Sequence, residues 1–434
     1  MDWRETYKSK TVDPVTAFKD LKNGDTVVFS PAAGAPVTLA GGLAERMRQN
    51  DIEQVNVSQF LTLPSDMGFL AEDIRPKMRF ITSYLGGPTR ELVNNGPGEF
   101  IPSHFSDWGV QNGPGMDTSV ACAQVSPPDK HGYCTFAICN LYMSNAFEHA
   151  RIRLGEVNAN APRVHGDGYI HVSEFTHLVE TDVPLLSIPK PELTDVEVTI
   201  GRYIGEMIHD GDCIQSGLGS LPDAVLMTLT HKKDLGVHSE TFSDGVMELY
   251  ESGVITGKKK TLMPGKIVGT FLMGTRKFYD WIDDNPIIAL MKSDFTNDPR
   301  VIAQNDNLVS INSALGVDLM GQVMAESVGM YQYSGTGGQV DFVRGARMSK
   351  GGRTVIAFPA TGMSKGQMVS RITAQLPVGA PVTTMRNDVD YIVTEFGVAR
   401  LGFKSLRQRA VALINIAHPD FRADLKKDLE RLKW

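Results

Sequence analysis

Short apolar runs bounded by Gly, Asn or Asp alternate along this chain with stretches whose apolar residues recur at helical spacing, the pattern of βα units. In residues 14–60 a helical stretch PVTAFKDLK ends at Asn23-Gly24-Asp25. It is followed by the strand TVVFS, a small-residue loop PAAGAP, a helix near 36–49 and the strand VNVSQFL. Residues 195–240 run in the same order: helix VTIGRYIGEMIH, turn Asp210-Gly211-Asp212, strand CIQS, loop GLGSLP, helix DAVLMTLTHKK, strand LGVHSE. Placing Gly24-Asp25 on Gly211-Asp212 brings Pro36 within one position of Pro222. βαβ units are common enough for such a match to arise by chance, but the shared order predicts two related α/β domains. The segment VPLLSIPKPEL, with three prolines, puts the boundary within 183–194, giving domains 1–188 and 189–434. Beyond it, VIAFP, APVTTM and DYIVTEFG read as strands. SLRQRAVALINIAHP and DFRADLKKDLERLKW read as helices separated at Pro419.

Composition narrows the function classes. The 434 residues are 42% hydrophobic and 21% charged, as in ordinary globular proteins. A net charge of -7 argues against a nucleic-acid partner. The dense basic run Lys258, Lys259 and Lys260 reads as a solvated loop. The start MDWRETYKSK has no apolar signal segment, and no apolar run approaches the ~20 residues of a membrane span. The four cysteines, Cys122, Cys134, Cys139 and Cys213, form no C-x-x-C pair, and GYCTFAIC reads as core. A reduced, cytoplasmic setting follows. His165, His171 and His177 are spaced by six and match no ligand motif, so no metal is expected.

Three places carry candidate chemistry. Glu240 ends the strand LGVHSE, where His238 and Glu240 are expected to share a face. A lone glutamate at a strand end is ordinarily a surface acid. What distinguishes this one is its expected position at the carboxyl edge of a parallel sheet, beside the turn SGLGSLPDAV. That turn resembles a dinucleotide fingerprint, but Pro222 stands where a third Gly belongs, which disfavours a nicotinamide dehydrogenase. It reads equally as a tight turn needing glycine or as a phosphate or oxyanion cradle. The third place is YSGTGGQVDFVRGA, whose Gly335, Gly337 and Gly338 read as a binding loop in preference to a flexible one. Arg344, Arg347 and Lys350 beyond it are either phosphate contacts or a solvated edge. Ser239 lacks a G-x-S-x-G elbow, so a serine nucleophile is disfavoured. The turn in VSPPDKHGYCTF is a rigid surface turn or a substrate contact.

The chain resembles the acetyl-CoA hydrolase/transferase family of CoA-transferases, in particular the 4-hydroxybutyrate and butyryl-CoA:acetate CoA-transferases. SPPDKHGYCTF, LPDAVL, GVHSETFSDGVMELYESGVI, TFLMGTRKFYDW, LMGQ, SGTGGQVDFVRGA, VTEFGVARL, ALINIAHPDFR and the opening MDW carry the resemblance. It implies an α/β fold of two related open-sheet domains of the CoA-transferase type, with the active site between them. The family's H-[ST]-E-x-x-[ST]-D-G glutamate, which becomes a glutamyl-CoA thioester, falls on Glu240. The family's coenzyme A loops fall on Gln215, Ser216, Gly217, Leu218 and Gly219, on Gly337 and Gly338, and on Leu315. The expected reaction is ping-pong transfer of CoA from a short-chain acyl-CoA to acetate, butyrate or 4-hydroxybutyrate, with coenzyme A as substrate and no resident cofactor. A glutamate with a reference pKa of about 4.3 is expected to be ionised at neutral pH. An acyl-CoA hydrolase using the same glutamate, or a non-catalytic ligand-binding protein on the same scaffold, are the alternatives. Relatives imply a homodimer or larger assembly. Two local departures stand out: LGFKS at 401–405 where many relatives read LRGKS, and residues 64–116, which look little like them.

Overall fold

The first passage of the chain between two units falls at Ile188, and the segment Val268–Thr296 then returns to the first unit. The second unit comprises Pro189–Ile267 and the chain from Asn297 onward. The sequence reading places 268–296 with the second domain. The structure, a computed structural model, describes residues 2–49, 52–64 and 66–432. Met1 of the MDW opening, and Lys433 and Trp434 of the last expected helix, lie outside them.

The first unit is built on a seven-stranded parallel sheet. Its strands are β1 (Thr26–Phe29), β2 (Val55–Ser58), β3 (Met78–Thr82), β4 (Glu99–Phe100), β5 (Thr118–Val125), β6 (Ile152–Asn158) and β7 (His177–Thr181). They lie in the order β4-β3-β2-β1-β5-β6-β7. The chain winds outward from β1 to β4, then crosses back to β5, so the order reverses between β1 and β5. Helix α1 (Val37–Arg48) links β1 to β2. Val27, Phe29, Leu39, Leu43, Val57 and Phe80 share the core beneath it.

The second unit repeats the scheme. It contains helix α2 (Asp195–Met207), strand β8 (Cys213–Gln215), helix α3 (Ser220–Met227), strand β9 (Gly236–His238) and helix α4 (Asp244–Glu251). After Asn297 come β10 (Leu308–Ser313), α5 (Gln339–Met348), β11 (Arg353–Ala357), β12 (Tyr391–Thr394), β13 (Gly397–Arg400), α6 (Leu406–Asn415) and α7 (Pro419–Arg431). These strands run β9-β8-β10-β11-β12-β13, parallel except for β13, and the order reverses between β8 and β10.

The duplication extends to atoms. Gly24 and Gly211 both take left-handed backbone, at φ 84° and 82°, which only glycine adopts at low cost. Asp25 and Asp212 each accept from the N–H three residues earlier, Lys22 and His209, at 2.7 Å in both cases. Their carbonyls accept from Asn56 and Gly236, each at 2.9 Å. Each Asp also pairs with an arginine at the start of the corresponding strand, Arg151 before β6 and Arg353 in β11.

Three sequence readings fail locally. PVTAFKDLK forms only a 3-10 turn, Thr16–Phe18. APVTTM is no strand; Thr384 makes one isolated bridge to Val323. Lys260 is not in a solvated loop: it is buried, and its Nζ donates to the carbonyls of Val237 at 2.9 Å and Lys266 at 2.8 Å. Burial pulls its pKa down to about 8.

Candidate active site

In open parallel sheets ligands sit outside the carboxyl ends of the strands, where the strand order reverses. In the second unit that point lies between β8 and β10. The turn after β8 (residues 216–219), Glu240 after β9 and Leu315 after β10 all leave the sheet at this edge.

Strand β9 stops at His238, two residues short of Glu240, where the sequence puts its end. Strand alternation therefore does not set the direction of Glu240. His238 is fully buried, with its ring 6.2 Å from that of Phe342. Ser239 is held by its own hydroxyl, which lies 2.6 Å from the carbonyl of Ser216 and 2.7 Å from that of Thr241. This bracing joins the turns after β8 and β9 and leaves Glu240 at the bend.

Glu240 is half-buried. Its Oε2 accepts from Asn297 Nδ2 at 3.1 Å, and the carboxylate also accepts from the backbone N–H of Gly338. Gly338 caps the N-terminus of α5. A Cβ there would stand 2.0 Å from Glu240 Oε2 and 2.3 Å from Asn297 Nδ2, so only glycine lets the peptide approach. Burial pushes the Glu240 pKa up to about 8, and the Asp341 charge adds to the rise; the Asn297 and Gly338 hydrogen bonds oppose it. Against the expectation of an ordinary carboxylate pKa, drawing this group partly out of bulk water raises it.

The glycine-rich loop ahead of α5 is anchored. Thr336 Oγ1 donates to Glu326 Oε2 at 2.7 Å, and the N–H groups of Tyr333 and Ser334 donate to the Glu326 carbonyl. Gln339 fixes the helix start, donating to the Ser313 carbonyl at 2.7 Å and accepting from Thr384 Oγ1 at 2.9 Å.

The other expected site residues fall as follows. Gln215 is buried, and its amide oxygen accepts from Ser310 Oγ, Ile311 N–H and Asn312 Nδ2 at 2.9, 3.1 and 3.3 Å. That side chain ties β8 to β10, leaving only backbone for a ligand. Ser216 is buried, Gly217 and Leu218 are half-buried, and Gly219 is exposed as the N-cap of α3 with φ 116°. Leu315 is half-buried, and Gly337 is buried beside Gly338.

Arg344 is exposed on α5, and Arg347 and Lys350 do not join the site. Arg347 occupies the last turn of α5, ~13 Å along the axis from Gly338 at 1.5 Å per residue. It pairs with Asp390 at 2.5 Å and Asp388 at 3.8 Å. Lys350 is exposed, 3.6 Å from Asp306. Asn297 and Asp341 went unnoticed in the sequence. TNDP around Asn297 carries no catalytic signature, and only the fold brings it to Glu240.

Among the described residues no group of three or more His, Cys, Asp or Glu is gathered to hold a metal, and no helix is long and apolar enough to cross a membrane. The four cysteine thiols are buried and unpaired.

The chain matches the models of two domains, the acetyl-CoA hydrolase/transferase N-terminal domain over residues 1–193 and its C-terminal counterpart over 274–429. It is 48% identical to a 4-hydroxybutyrate coenzyme A transferase of Clostridium kluyveri, over 99% of this chain and 100% of that one. It is 42% identical to a succinyl-CoA:cyclohexane-1-carboxylate CoA transferase of Geobacter metallireducens, over 99% and 97%. The crystal structure of a 4-hydroxybutyrate CoA-transferase from Porphyromonas gingivalis superposes with a TM-score of 0.85 at 39% identity, covering 99% of this chain and 100% of that one.

Proposed function

Because this chain belongs to the acetyl-CoA hydrolase/transferase family and is a CoA-transferase, we propose that it carries coenzyme A from a short-chain acyl-CoA to a free carboxylate as a thioester on Glu240. The observation that carries this reading is the Glu240 carboxylate held by Asn297 Nδ2 and the Gly338 N–H in a setting that raises its basicity.

A carboxylate oxygen of Glu240 attacks the acyl carbonyl, and the carbon–sulfur bond breaks. The products are a mixed anhydride and CoA thiolate. The thiolate attacks the glutamyl carbonyl, the acyl carboxylate leaves, and glutamyl-CoA remains. A second carboxylate runs these steps in reverse and departs as the new thioester. The thioester bond is exchanged throughout, so no ATP is needed.

Negative charge gathers on the glutamyl oxygen when thiolate attacks. The two groups already donating to the carboxylate in the free protein then become oxyanion donors, and each such donor is typically worth about 3–4 kcal/mol of barrier. Their geometry is set beforehand: Gln339 fixes the start of α5, and Asn297 is fully buried. The raised pKa gives a more basic nucleophile, at the cost that only about a tenth of it is ionised one pH unit below its pKa.

For the acids exchanged, the relatives' names support 4-hydroxybutyrate-type short-chain substrates. Residues 64–116 and the cyclohexane-carboxylate relative make a panel of acyl-CoA donors against carboxylate acceptors the direct assay.

The covalent step has its own test. Acyl-CoA alone, without acceptor, should load Glu240 with a thioester that hydroxylamine or borohydride traps and peptide mapping locates. Glu240→Ala should lose both label and exchange while keeping its fold, and Glu240→Asp should be severely impaired. Label on another residue, or full exchange in Glu240→Ala, overturns the mechanism. Steady release of free CoA without any acceptor would make the chain a hydrolase.

A further inference from the structure

The second unit holds a cavity of about 450 Å³ whose lining contains none of the groups around Glu240. Arg347, Arg386, Phe403, Lys404, Ser405 and Arg409 are among its lining residues. It lies at the opposite edge of the sheet from Glu240. Arg347 is in the last turn of α5, whose start meets Glu240, and its partner Asp390 immediately precedes β12.

Positive charge here is not balanced. Arg347 is neutralised by Asp390 and Asp388. Arg409 is nine-tenths buried, yet its guanidinium donates only to carbonyls: Lys404 at 3.2 Å, Met320 at 3.4 Å and Arg386 at 2.6 Å. Arg386 reaches only Met320 Sδ, at 3.3 Å. Lys404 is exposed, and among the described residues no carboxylate pairs with Lys404, Arg386 or Arg409. Burial, and then the Arg386 and Arg347 charges, pull Arg409 below the ordinary arginine pKa, while Asp390 works the other way. Buried arginines ordinarily find a carboxylate. The start of α6, capped by Ser405, adds its partial positive charge.

Beside these cations stands Phe403, 95% exposed and in left-handed backbone at φ 59°. A bulky residue in that conformation is uncommon, and a fully wet aromatic ring gains nothing from the fold. Both features suit a platform for a planar ring.

We propose that this cavity binds a nucleoside phosphate, with the phosphate on Arg386, Arg409 and Lys404 and the base stacked on Phe403. A free nucleotide and the nucleotide end of coenzyme A share this chemistry. Volume is adequate, since small-molecule pockets run from about 300 Å³ upward.

Calorimetric titration of the full chain with ADP, inorganic phosphate and CoA tests it. ADP should bind saturably. Arg386→Ala should weaken both ADP and phosphate by about tenfold, the worth of a charge-assisted contact. Phe403→Ala should weaken ADP by about fivefold and leave phosphate unchanged. Lys404→Glu, at an exposed position, should also weaken ADP, and it keeps the test alive if Arg386→Ala fails to fold. ADP binding that persists in saturating CoA identifies the free nucleotide as the occupant. Competition by CoA that disappears in Phe403→Ala identifies the coenzyme's own nucleotide. Absence of saturable ADP binding at millimolar ligand, or ADP affinity unchanged in both Arg386→Ala and Lys404→Glu, overturns the proposal.

Discussion

Phe60 and Glu240 stand at the same place in the frames of the two units. Thr26 of β1 faces Asn56, and Cys213 of β8 faces Gly236. Four residues beyond each partner come Phe60 and Glu240. Phe60 is fully buried, its ring 4.5 Å from that of Trp108 and 5.3 Å from that of Tyr142. The Tyr142 hydroxyl donates to the Phe29 carbonyl at 2.8 Å, at the end of β1. The reversal point of the first unit is therefore filled with aromatic core. Its counterpart in the second unit holds a carboxylate met by a bare peptide N–H and an amide. A ring packs wherever it finds apolar neighbours. A carboxylate drawn out of water needs donors, and a helix start without a Cβ supplies one. The duplicated turns set the frame, and the residue two beyond the strand decides whether its mouth is filled with aromatic core or holds a hydrogen-bonded carboxylate.

The sharpest way to break this comparison is to exchange the chemistry. Phe60→Glu puts a carboxylate against the rings of Trp108 and Tyr142 with none of the donors that Glu240 has. We expect a loss of more than about 3 kcal/mol, with a large drop in Tm, from cavity and buried charge together. A variant that melts within a few degrees of the parent would mean that the first unit tolerates a site there. Next comes Gly338→Ala. Its methyl would collide with Glu240 Oε2 and Asn297 Nδ2, so exchange should fall at least a hundredfold, the usual effect of losing one oxyanion donor. The far-UV spectrum should be unchanged. Activity near the parental level would remove Gly338 from the mechanism.

How far the sequence reached follows from what each feature depends on. The duplicated order was legible because Gly24-Asp25 and Gly211-Asp212 are local turn chemistry, and the structure repeats them atom for atom. The place of Glu240 beside the glycine turns was legible from the turns around it and from resemblance. Asn297 was not, because its meeting with Glu240 spans 57 residues and rests on tertiary placement. Lys260 misled for a similar reason. Its neighbours Lys258 and Lys259 are exposed, and nothing local reveals that one ammonium of three turns inward to two carbonyls. Arg347 and Lys350 follow the glycine loop in sequence, but one helix carries them to the other end of the sheet.

The pH dependence gives a finer distinction between the two mouths, since only the second one titrates. With the Glu240 pKa raised to about 8, kcat/KM should climb about tenfold per pH unit on the acid side and level off above that value. The folded state holds this proton more tightly than the unfolded chain does. Glu240 therefore contributes stability that is fully present below the unfolded carboxyl pKa and is lost as pH rises through about 8. Glu240→Gln should remove that loss and melt higher than the parent at alkaline pH. The effect is discounted because the residue is only half-buried. A profile already flat at pH 6 would show that the enclosed carboxylate is ionised in spite of burial.

The smallest effect tests the shared frame itself. Gly24 and Gly211 have φ 84° and 82°, and a Cβ at Gly24 meets nothing within 4 Å, while at Gly211 it first meets Lys259 Cγ at 3.4 Å. Neither position is crowded, so alanine pays only for left-handed backbone, about 1 kcal/mol at each site. The two losses, read by urea titration, should be equal within error and add in the double variant, since the turns lie in different units and share no partner. A clear inequality would mean that the two turns, alike in geometry, bear different loads, and the inference from one unit's frame to the other's would fail at its root.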